Sequence, residues 1–252
     1  MRNVIAILIV TILSIQTGMA KSSIKKIGEH IYQIGLGAVN CFVIEDATGL
    51  TLVDAGYEGD EVKIYKALKE IGKQPSDIKQ IVLTHLHADH SGAAATIQKA
   101  LHIPVYASEV DGVSLSNGVS LRENTKTTKG FINKILKNIF VKDIQKITAI
   151  ENIIFVTDKQ ILPFGNGIEV HYTSGHSAGH ISLFVKSDNL LIAGDICANN
   201  MGLSPSIVNE DLEMGLKTLS QLKDIDFDKV CFGHGKPILI EAKIKLLKKF
   251  SK

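Results

Sequence analysis

The residue types best suited to chemistry are concentrated in one short stretch, 84–92, which directly follows an apolar run. Three histidines and one aspartate stand there within six residues: His85, His87, Asp89 and His90. Imidazole nitrogens and carboxylate oxygens are the ligands that zinc and similar divalent metals prefer. Because residues two apart on an extended segment point the same way, His85 and His87 can bind one ion together. Asp89 and His90 follow where the chain turns, so they can face a second ion.

Three further candidate ligands lie downstream. His176, Asp195 and His234 each stand next to a glycine and shortly after a predicted strand. Loops at strand ends are where α/β proteins often gather functional groups. A polar loop that is histidine-rich by coincidence would not explain these distant companions. The sequence therefore predicts a metal centre built from five histidines and two aspartates.

The elements that must position these residues alternate between strands and helices. Alternating or continuous apolar runs predict strands at 30–34, 40–44, 50–53, 80–83, 103–107, 153–156, 168–173, 181–186, 190–193 and 230–232. Apolar residues at helical spacing predict helices over about 60–71, 92–100, 211–222 and 237–250. This alternation predicts the α/β class. No repeat or linker is apparent, which favours one domain, 21–252, made of two similar halves.

Residues 110–150 interrupt the alternation and predict a helical insertion. Within it, apolar residues at three- and four-residue steps over 131–140, with lysines between them, predict an amphipathic helix. Two roles remain open for this helix. It could pack on the core, or it could act as a lid whose apolar face borders the substrate.

Composition restricts the classes of function. Hydrophobic residues make up 45% of the 252 residues, enough for a packed core. The net charge of +2 comes from 28 basic and 26 acidic residues, and this balance argues against nucleic-acid binding. A basic run at 243–252 is interpreted as the solvated face of a last helix, with weak attraction to anionic surfaces as the alternative.

The N-terminus resembles an export signal. Arg2 precedes an almost wholly apolar segment, 4–15, which is short for a membrane span. Small residues at Gly18 and Ala20 predict cleavage after Ala20, so residues 1–20 would be removed. The mature protein would then be periplasmic or extracellular without stable membrane insertion. An uncleaved membrane anchor is the alternative.

Structural roles are predicted for the cysteines and the remaining histidines. Three cysteines without a CxxC pair indicate no disulfide framework. Cys41 and Cys231 lie in apolar strands, so they are predicted to be core residues. Cys197 is predicted to pack as well, or else to approach the metal site. The histidine at 180 is predicted to support the loop of His176. Ordinary positions are predicted for the histidines without companions: His30, His102 and His171.

The motifs together resemble the metallo-β-lactamase superfamily. The resemblance rests on HLHADH at 85–90, GHSAGH at 175–180, the Gly-Asp pair at 194–195 and GHG at 233–235. Their order matches as well, and the similarity covers roughly residues 24–245. It implies an αββα four-layer sandwich with a two-metal site along one edge of the sheets.

The resemblance also implies how the ligands divide. The first metal would be held by His85, His87 and His176. The second would be held by Asp89, His90 and His234. Asp195 would bridge both ions, and Asp54 would orient the ligand loop without binding metal. The expected cofactor is two zinc ions, with iron or manganese as possible substitutes.

The chemistry of such a centre agrees with hydrolysis. Two ions can share a water molecule and lower its pKa towards about 7, so that hydroxide attacks a carbonyl carbon. Asp89 would accept the hydrogen bond of that water and carry its proton, and Asp195 would hold both ions. These two residues are the predicted catalytic carboxylates.

Superfamily membership leaves the reaction open, because one fold hosts many activities. A carboxylate at Asp195 favours the glyoxalase II-like and lactonase-like branches. The match to either is incomplete, since 196–200 has no tyrosine and few residues follow His234. The leading hypothesis is an exported hydrolase of a small ester, thioester, lactone or lactam substrate. The alternatives are an iron persulfide dioxygenase that uses His85, His176 and Asp195, and a non-enzymatic metal-binding protein. The sequence does not determine the oligomeric state.

Overall fold

The structure is a computed structural model that describes residues 23–122, 125–127 and 146–250. Its strands are β1 (Ser23–Lys26), β2 (Ile31–Gly35), β3 (Asn40–Asp46), β4 (Gly49–Val53), β5 (Ile78–Val82), β6 (Val105–Ser108), β7 (Lys126–Thr127), β8 (Ile154–Val156), β9 (Ile161–Leu162), β10 (Ile168–Tyr172), β11 (Ile181–Val185), β12 (Leu190–Ile192), β13 (Cys197–Asn199), β14 (Leu203–Pro205), β15 (Val208–Asn209) and β16 (Lys229–Cys231). Its helices are α1 (Glu61–Glu70), α2 (Ala88–Ser91), α3 (Ala94–Leu101), α4 (Glu109–Ser116), α5 (Leu212–Gln221) and α6 (Ala242–Phe250).

Two large sheets form the centre of the fold. The first has seven strands in the order β1-β2-β3-β4-β5-β6-β8, and the second has five in the order β16-β12-β11-β10-β9. In the first sheet β4, β5, β6 and β8 run parallel, and in the second β12 and β16 do so. Parallel neighbours point their carboxyl ends towards the same edge, where the loops with candidate ligands begin.

Side-chain alternation along the strands separates the layers. In β3, Cys41 and Val43 pack towards α1 and α3, whereas Phe42 and Ile44 pack towards the second sheet. This follows from the two-residue period of a strand, which sends successive side chains to opposite faces. In the second half, Leu191 of β12 packs with α5 and α6 on the outer face. The layers are therefore helix, sheet, sheet and helix, which confirms the αββα sandwich.

Several observed elements differ from the predictions. The last helix begins at Ala242 rather than near 237, because two backbone hydrogen bonds of 2.8 Å between Val230 and Ile238 hold Ile238 in an antiparallel bridge instead of a helix. Helix α4 was not predicted, and its N-terminus is capped by the hydroxyl of Ser108. The hairpin of β13 and β14 was also missed, because its strands are only three residues long.

Two predictions concern parts of the chain outside the described residues. These are the amphipathic helix over 131–140 and the export signal over 1–20. Among the helices that the structure does describe, none has the length and apolar composition needed to cross a membrane.

Candidate metal centre

The seven predicted ligands converge at one edge of the two sheets. They come from the loops after β5, β10, β12 and β16, and the helical turn α2 carries Asp89 and His90. Their ligand atoms form three overlapping groups, each within 4.8 Å: His85, His87 and His176; His85, His90 and Asp195; Asp89, His90 and His234. The structure thus places every sequence-predicted site residue in a single cluster.

Hydrogen bonds on the outer side of the cluster fix the orientation of three imidazoles. The Nδ1–H groups of His176 and His234 donate to the carbonyls of Val208 and Ala38, at 2.7 and 2.8 Å. Nδ1 of His90 lies 2.9 Å from a carboxylate oxygen of Asp54. Each contact leaves the Nε2 atom directed into the cluster. Such outer partners set the tautomer of metal-binding histidines.

The centre contains polar atoms that lack a hydrogen-bond partner within the described part of the chain. They are Nε2 of His87, Nε2 of His90 and Oδ1 of Asp195, all buried. Leaving a buried polar atom unpaired costs about 1–3 kcal/mol. In addition, Nε2 of His85 and Nε2 of His176 lie 3.2 Å apart. Divalent cations coordinated by these nitrogens and oxygens would satisfy all of these atoms, so the residues fit the metal that the resemblance implies.

The histidines of the first group, His85, His87 and His176, are in the neutral state that binds a cation. Burial lowers the pKa of His85, His87 and His176, and it brings the pKa of His87 to about 3. All three rings are therefore neutral near pH 7. A neutral imidazole offers its lone pair without first losing a proton.

The second group has the opposite electrostatics, because carboxylates surround it. Burial opposes protonation of His90, but Asp195, Asp89 and Asp54 outweigh it and raise its pKa to about 9. Likewise, Asp195 overcomes burial and raises the pKa of His234. In turn, although burial favours the neutral acids, His90 and His234 keep the pKa values of Asp89 and Asp195 below the usual range. Without metal, protons on these histidines supply the positive charge that the carboxylates require.

Asp54 holds the start of the ligand loop, as the resemblance implied. It lies directly after β4 with a positive φ of 59°, an uncommon conformation for a residue other than glycine. One carboxylate oxygen accepts the backbone N–H of Thr84 at 2.8 Å, and the other contacts His90 at 2.9 Å. Asp54 therefore positions a candidate ligand and the turn before it.

His180 also supports the site from behind. Its Nε2 atom accepts the backbone N–H of Asp195 at 2.9 Å, and its Nδ1 atom contacts the hydroxyl of Thr173 at 2.8 Å. The side chain is fully buried. It links the strand end that carries His176 to the loop that carries Asp195.

Sequence reasoning missed a buried aspartate that joins two ligand loops. Asp111 lies on α4 with no solvent exposure. Its carboxylate accepts the N–H of Leu86 at 3.2 Å, the hydroxyl of Ser177 at 2.5 Å and the N–H of Gly179 at 3.1 Å. Leu86 stands between two candidate ligands, and Ser177 directly follows another. Asp111 therefore fixes the spacing between the loops of the first metal group.

An arginine balances the charge of this aspartate. Arg122 donates to Asp111 at 2.8 Å and to a carboxylate oxygen of Glu210 at 2.9 Å. The other oxygen of Glu210 accepts the N–H of Ala178 at 2.7 Å. No local motif marks these three charged residues. Arg122 is 11 positions from Asp111 and 88 positions from Glu210. Only the folded chain brings them together.

The remaining histidines and cysteines lie away from the cluster. His30 and His171 take ordinary positions outside the described metal groups: Nδ1 of His30 lies 3.2 Å from Asp188, and Nδ1 of the buried His171 lies 2.7 Å from the ammonium of Lys159. Cys41, Cys197 and Cys231 are free and buried in the core, so Cys197 serves packing.

The metal cluster forms part of the wall of a cavity of about 1300 Å³. Pockets for small molecules commonly have volumes of about 300–1000 Å³. Five predicted ligands line it: His87, Asp89, His176, Asp195 and His234. The hydroxyl-bearing side chain of Tyr57 lines it as well. Burial and the nearby Asp89 raise the pKa of Tyr57, so its hydroxyl stays protonated.

Comparisons with known proteins agree with this arrangement. A family model described as the metallo-beta-lactamase superfamily matches residues 34–234. The uncharacterized protein YobT of Bacillus subtilis (strain 168) is 30% identical, over 79% of this chain and 83% of its own length. An N-acyl homoserine lactonase of Bacillus cereus is 24% identical, over 77% of this chain and 80% of its own. Among solved structures, a beta-lactamase from Chitinophaga pinensis has a TM-score of 0.71 at 20% identity, covering 93% of this chain and 94% of its own.

Proposed function

Because this chain belongs to the metallo-β-lactamase superfamily, we propose that it is a metal-dependent hydrolase of a small carboxylic ester, thioester, lactone or lactam substrate. One observation supports the proposal above all others. Five histidines and two aspartates that follow four strands form one cluster, and five of these seven residues line a single cavity. A cluster of this composition next to a space for a small molecule is suited to metal-assisted hydrolysis.

The proposed ligands divide into two sets. His85, His87 and His176 would hold one zinc ion. Asp89, His90 and His234 would hold a second. Asp195 would be shared, since its carboxylate lies 3.0 Å from Nε2 of His234 and 3.6 Å from Nε2 of His176. When bound, such ions activate a water molecule and polarise the carbonyl of the substrate.

The chain's own side chains would then manage protons and orientation. Asp89 lines the cavity beside the other proposed ligands, so its carboxylate can accept a proton there. Tyr57 remains protonated, so its hydroxyl can donate to an oxygen of the substrate. The buried position of His85, His90 and Asp195 excludes bulk water from one side of the site.

Two observations favour this hydrolase over the mononuclear alternative. An iron persulfide dioxygenase would use only His85, His176 and Asp195. The second group, Asp89, His90 and His234, would then have no role, although its geometry is equally compact. A relative named N-acyl homoserine lactonase further supports ester or lactone substrates.

Metal analysis combined with a substrate screen tests the proposal. We expect about two zinc ions per chain and turnover of at least one substrate from a panel containing a carboxylic ester, a thioester, a lactone and a β-lactam. The Asp195→Ala variant should lose metal and turnover. One iron per chain with oxygen consumption on a persulfide would support the dioxygenase. An inert but fully loaded protein would contradict both enzymes.

We also propose export, with cleavage after Ala20. The apolar segment 4–15 and the small residues before the cleavage point support it. Sequencing the N-terminus of the protein from fractionated cells of an expression host tests the proposal. A mature N-terminus at Lys21 in the exported fraction is expected. Retention of residues 1–20 in a membrane fraction would support the anchor instead.

A further inference from the structure

The charges around the cavity are unevenly distributed. Outside the metal cluster, the charged side chains that line it within the described part of the chain are all lysines of α6: Lys245, Lys248 and Lys249. No carboxylate other than those of the metal cluster faces these lysines across the described wall. The cavity therefore has a metal centre at one part of its wall and a positive patch at another.

Helical geometry explains why these lysines share a face. Positions 245, 248 and 249 are related by three- and four-residue steps, which place side chains on one side of a helix. The adjoining side of α6 carries Ala242 and Leu246, which are buried against the second sheet. Packing of that apolar side fixes the orientation of α6. The lysines are thus turned towards the cavity by the same burial that anchors the helix.

The three ammonium groups remain available for a ligand. Lys245 donates one hydrogen bond to the carbonyl of Ile240 at 2.9 Å and retains two further N–H groups. Within the described residues, Lys248 and Lys249 form no hydrogen bond or ion pair. By contrast, Lys243 on the same helix pairs with Asp226 at 3.2 Å and does not line the cavity.

Apart from the metal cluster and the lysines, the described wall of the cavity is mainly apolar. It includes Leu121, Met201, Leu203, Pro205 and Val208. The hairpin of β13 and β14 provides much of this surface, and α6 packs on β14. The cavity therefore offers a ligand three kinds of surface: metal ligands, apolar side chains and positive charge.

We propose that the substrate is an acid whose apolar chain separates the scissile carbonyl from a carboxylate, and that Lys245, Lys248 and Lys249 bind this carboxylate. The proposal rests on the hydrolase function and specifies its substrate class. Exposed ion pairs are individually weak, and three of them together give about a tenfold preference over an uncharged analogue. Because the lysines contact a part of the substrate that does not react, the preference belongs in KM rather than in kcat.

Binding to the zinc-loaded full chain gives a test that is independent of turnover. Calorimetry compares succinate, adipate, suberate and sebacate with the monocarboxylates of equal length. Each acid offers one carboxylate to the metal centre, and only the diacids offer a second to the lysines. At low salt, we expect one diacid to bind about tenfold more tightly than its monoacid, and this advantage to shrink at high salt.

Variants of α6 test whether the lysines cause the tighter binding of the diacid. In the Lys245→Gln/Lys248→Gln/Lys249→Gln triple variant, the diacid and the monoacid should bind equally. The matched control Lys243→Gln should keep the wild-type preference, since Lys243 does not line the cavity. Equal binding of diacids and monoacids to the wild type would overturn the inference. A preference that survives in the triple variant would overturn it as well.

Turnover of matched thioesters separates this inference from the proposed function. The probes are the ethanethiol monoester of adipic acid and the ethanethiol ester of hexanoic acid. We expect a KM about tenfold lower for the adipic derivative, similar kcat values, and loss of the difference in the triple variant. Equal kcat/KM values would contradict the inference while supporting the hydrolase. Lysine-dependent diacid binding without turnover on the whole ester, thioester, lactone and lactam panel would contradict the hydrolase alone.

Discussion

The orientation of three imidazoles of the metal centre is fixed by the atom that contacts the outer nitrogen of each ring. His176 and His234 donate to backbone carbonyls, whereas His90 contacts the carboxylate of Asp54. The carboxylates of Asp195 and Asp89 raise the pKa values of His90 and His234, and so divide the centre into a neutral first group and a second group that carries protons when metal is absent. A cation entering the second group must displace those protons, because His90 has a pKa of about 9.

Metal uptake should therefore depend on pH in two stages. The neutral first group should bind zinc near pH 6, whereas occupancy of the second group should rise as the pH approaches about 9, the pKa of His90. Zinc content after equilibrium dialysis at a limiting free concentration checks the order, and proton release on zinc addition checks its cause. The His90→Ala variant should bind one zinc ion per chain, and this zinc content should not depend on pH over the same range. Uptake of both ions in a single step at pH 6 would contradict the division.

Asp111 illustrates how one buried carboxylate can position two loops. In the Asp111→Asn variant, an amide N–H₂ faces donors from Leu86, Ser177 and Gly179, and Arg122 loses one of its two carboxylate partners. We expect the metal-free protein to lose about 3–5 kcal/mol of unfolding free energy. Zinc affinity should fall by about 10–100-fold.

Urea unfolding in chelator and competition for zinc with a fluorescent chelator measure the two effects of this change. Glu109→Gln is the matched control, because Glu109 is an exposed carboxylate on the same helix. That control should remain within about 0.5 kcal/mol of the wild type. A wild-type zinc affinity in Asp111→Asn would show that the aspartate serves stability alone.

At the scale of elements, close backbone approaches hold the ligand loops together. The loop after β16 passes so near the metal centre that a methyl group on Gly233 would overlap the carboxylate of Asp195 and the ring of His90. Gly175 approaches Gly215 of α5 in a similar way, which fixes the loop of His176 against that helix. These contacts connect elements that the sequence presents as unrelated.

The Gly233→Ala variant tests the tight approach of the β16 loop. Gly233 does not have a positive φ, so the effect is steric rather than conformational. We expect about 1–3 kcal/mol of destabilisation from overpacking, together with loss of zinc from the site of Asp195 and His90. Zinc content and thermal unfolding in chelator check both parts. Gly215→Ala is the control, because its added methyl meets Gly175 only at 3.6 Å. Full zinc content in Gly233→Ala would refute the prediction.

Across the whole molecule, the metal centre joins the two halves. Four candidate ligands follow β5 in the first sheet, and three follow β10, β12 and β16 in the second. Ions bound here would connect both sheets at one edge, in addition to the apolar core that lies between them. Metal that binds only the folded chain must stabilise it by mass action.

Chelation should therefore lower the thermal stability of the whole chain. Zinc at about 100 times its dissociation constant contributes about 2.7 kcal/mol. For a chain of this size, removing it should lower Tm by about 5–10 °C. Differential scanning calorimetry with and without chelator measures the shift. The His85→Ala/His176→Ala variant should show a much smaller response to chelator. An unchanged wild-type Tm would contradict a centre that couples the two halves.

Much of this protein could be predicted from its sequence. The continuous apolar run in β3 and the helical spacing in α1 are local patterns, so the α/β class and most element positions followed from such patterns. The candidate ligands were also visible, because histidine and aspartate beside glycine after a strand form a local chemical signal. The resemblance to a superfamily with the same motif order then implied the layer arrangement that the structure confirms.

Tertiary structure decided what depends on distant partners. Asp111 reaches loops at Leu86 and Ser177 through hydrogen bonds that no local pattern encodes. The late start of α6 depends on pairing between Val230 and Ile238, and the position of its lysines at the cavity depends on burial of Leu246. Periodicity records which face of an element is apolar. What each face meets is decided only when the two sheets pack, because that packing brings residues far apart in the chain within hydrogen-bonding distance.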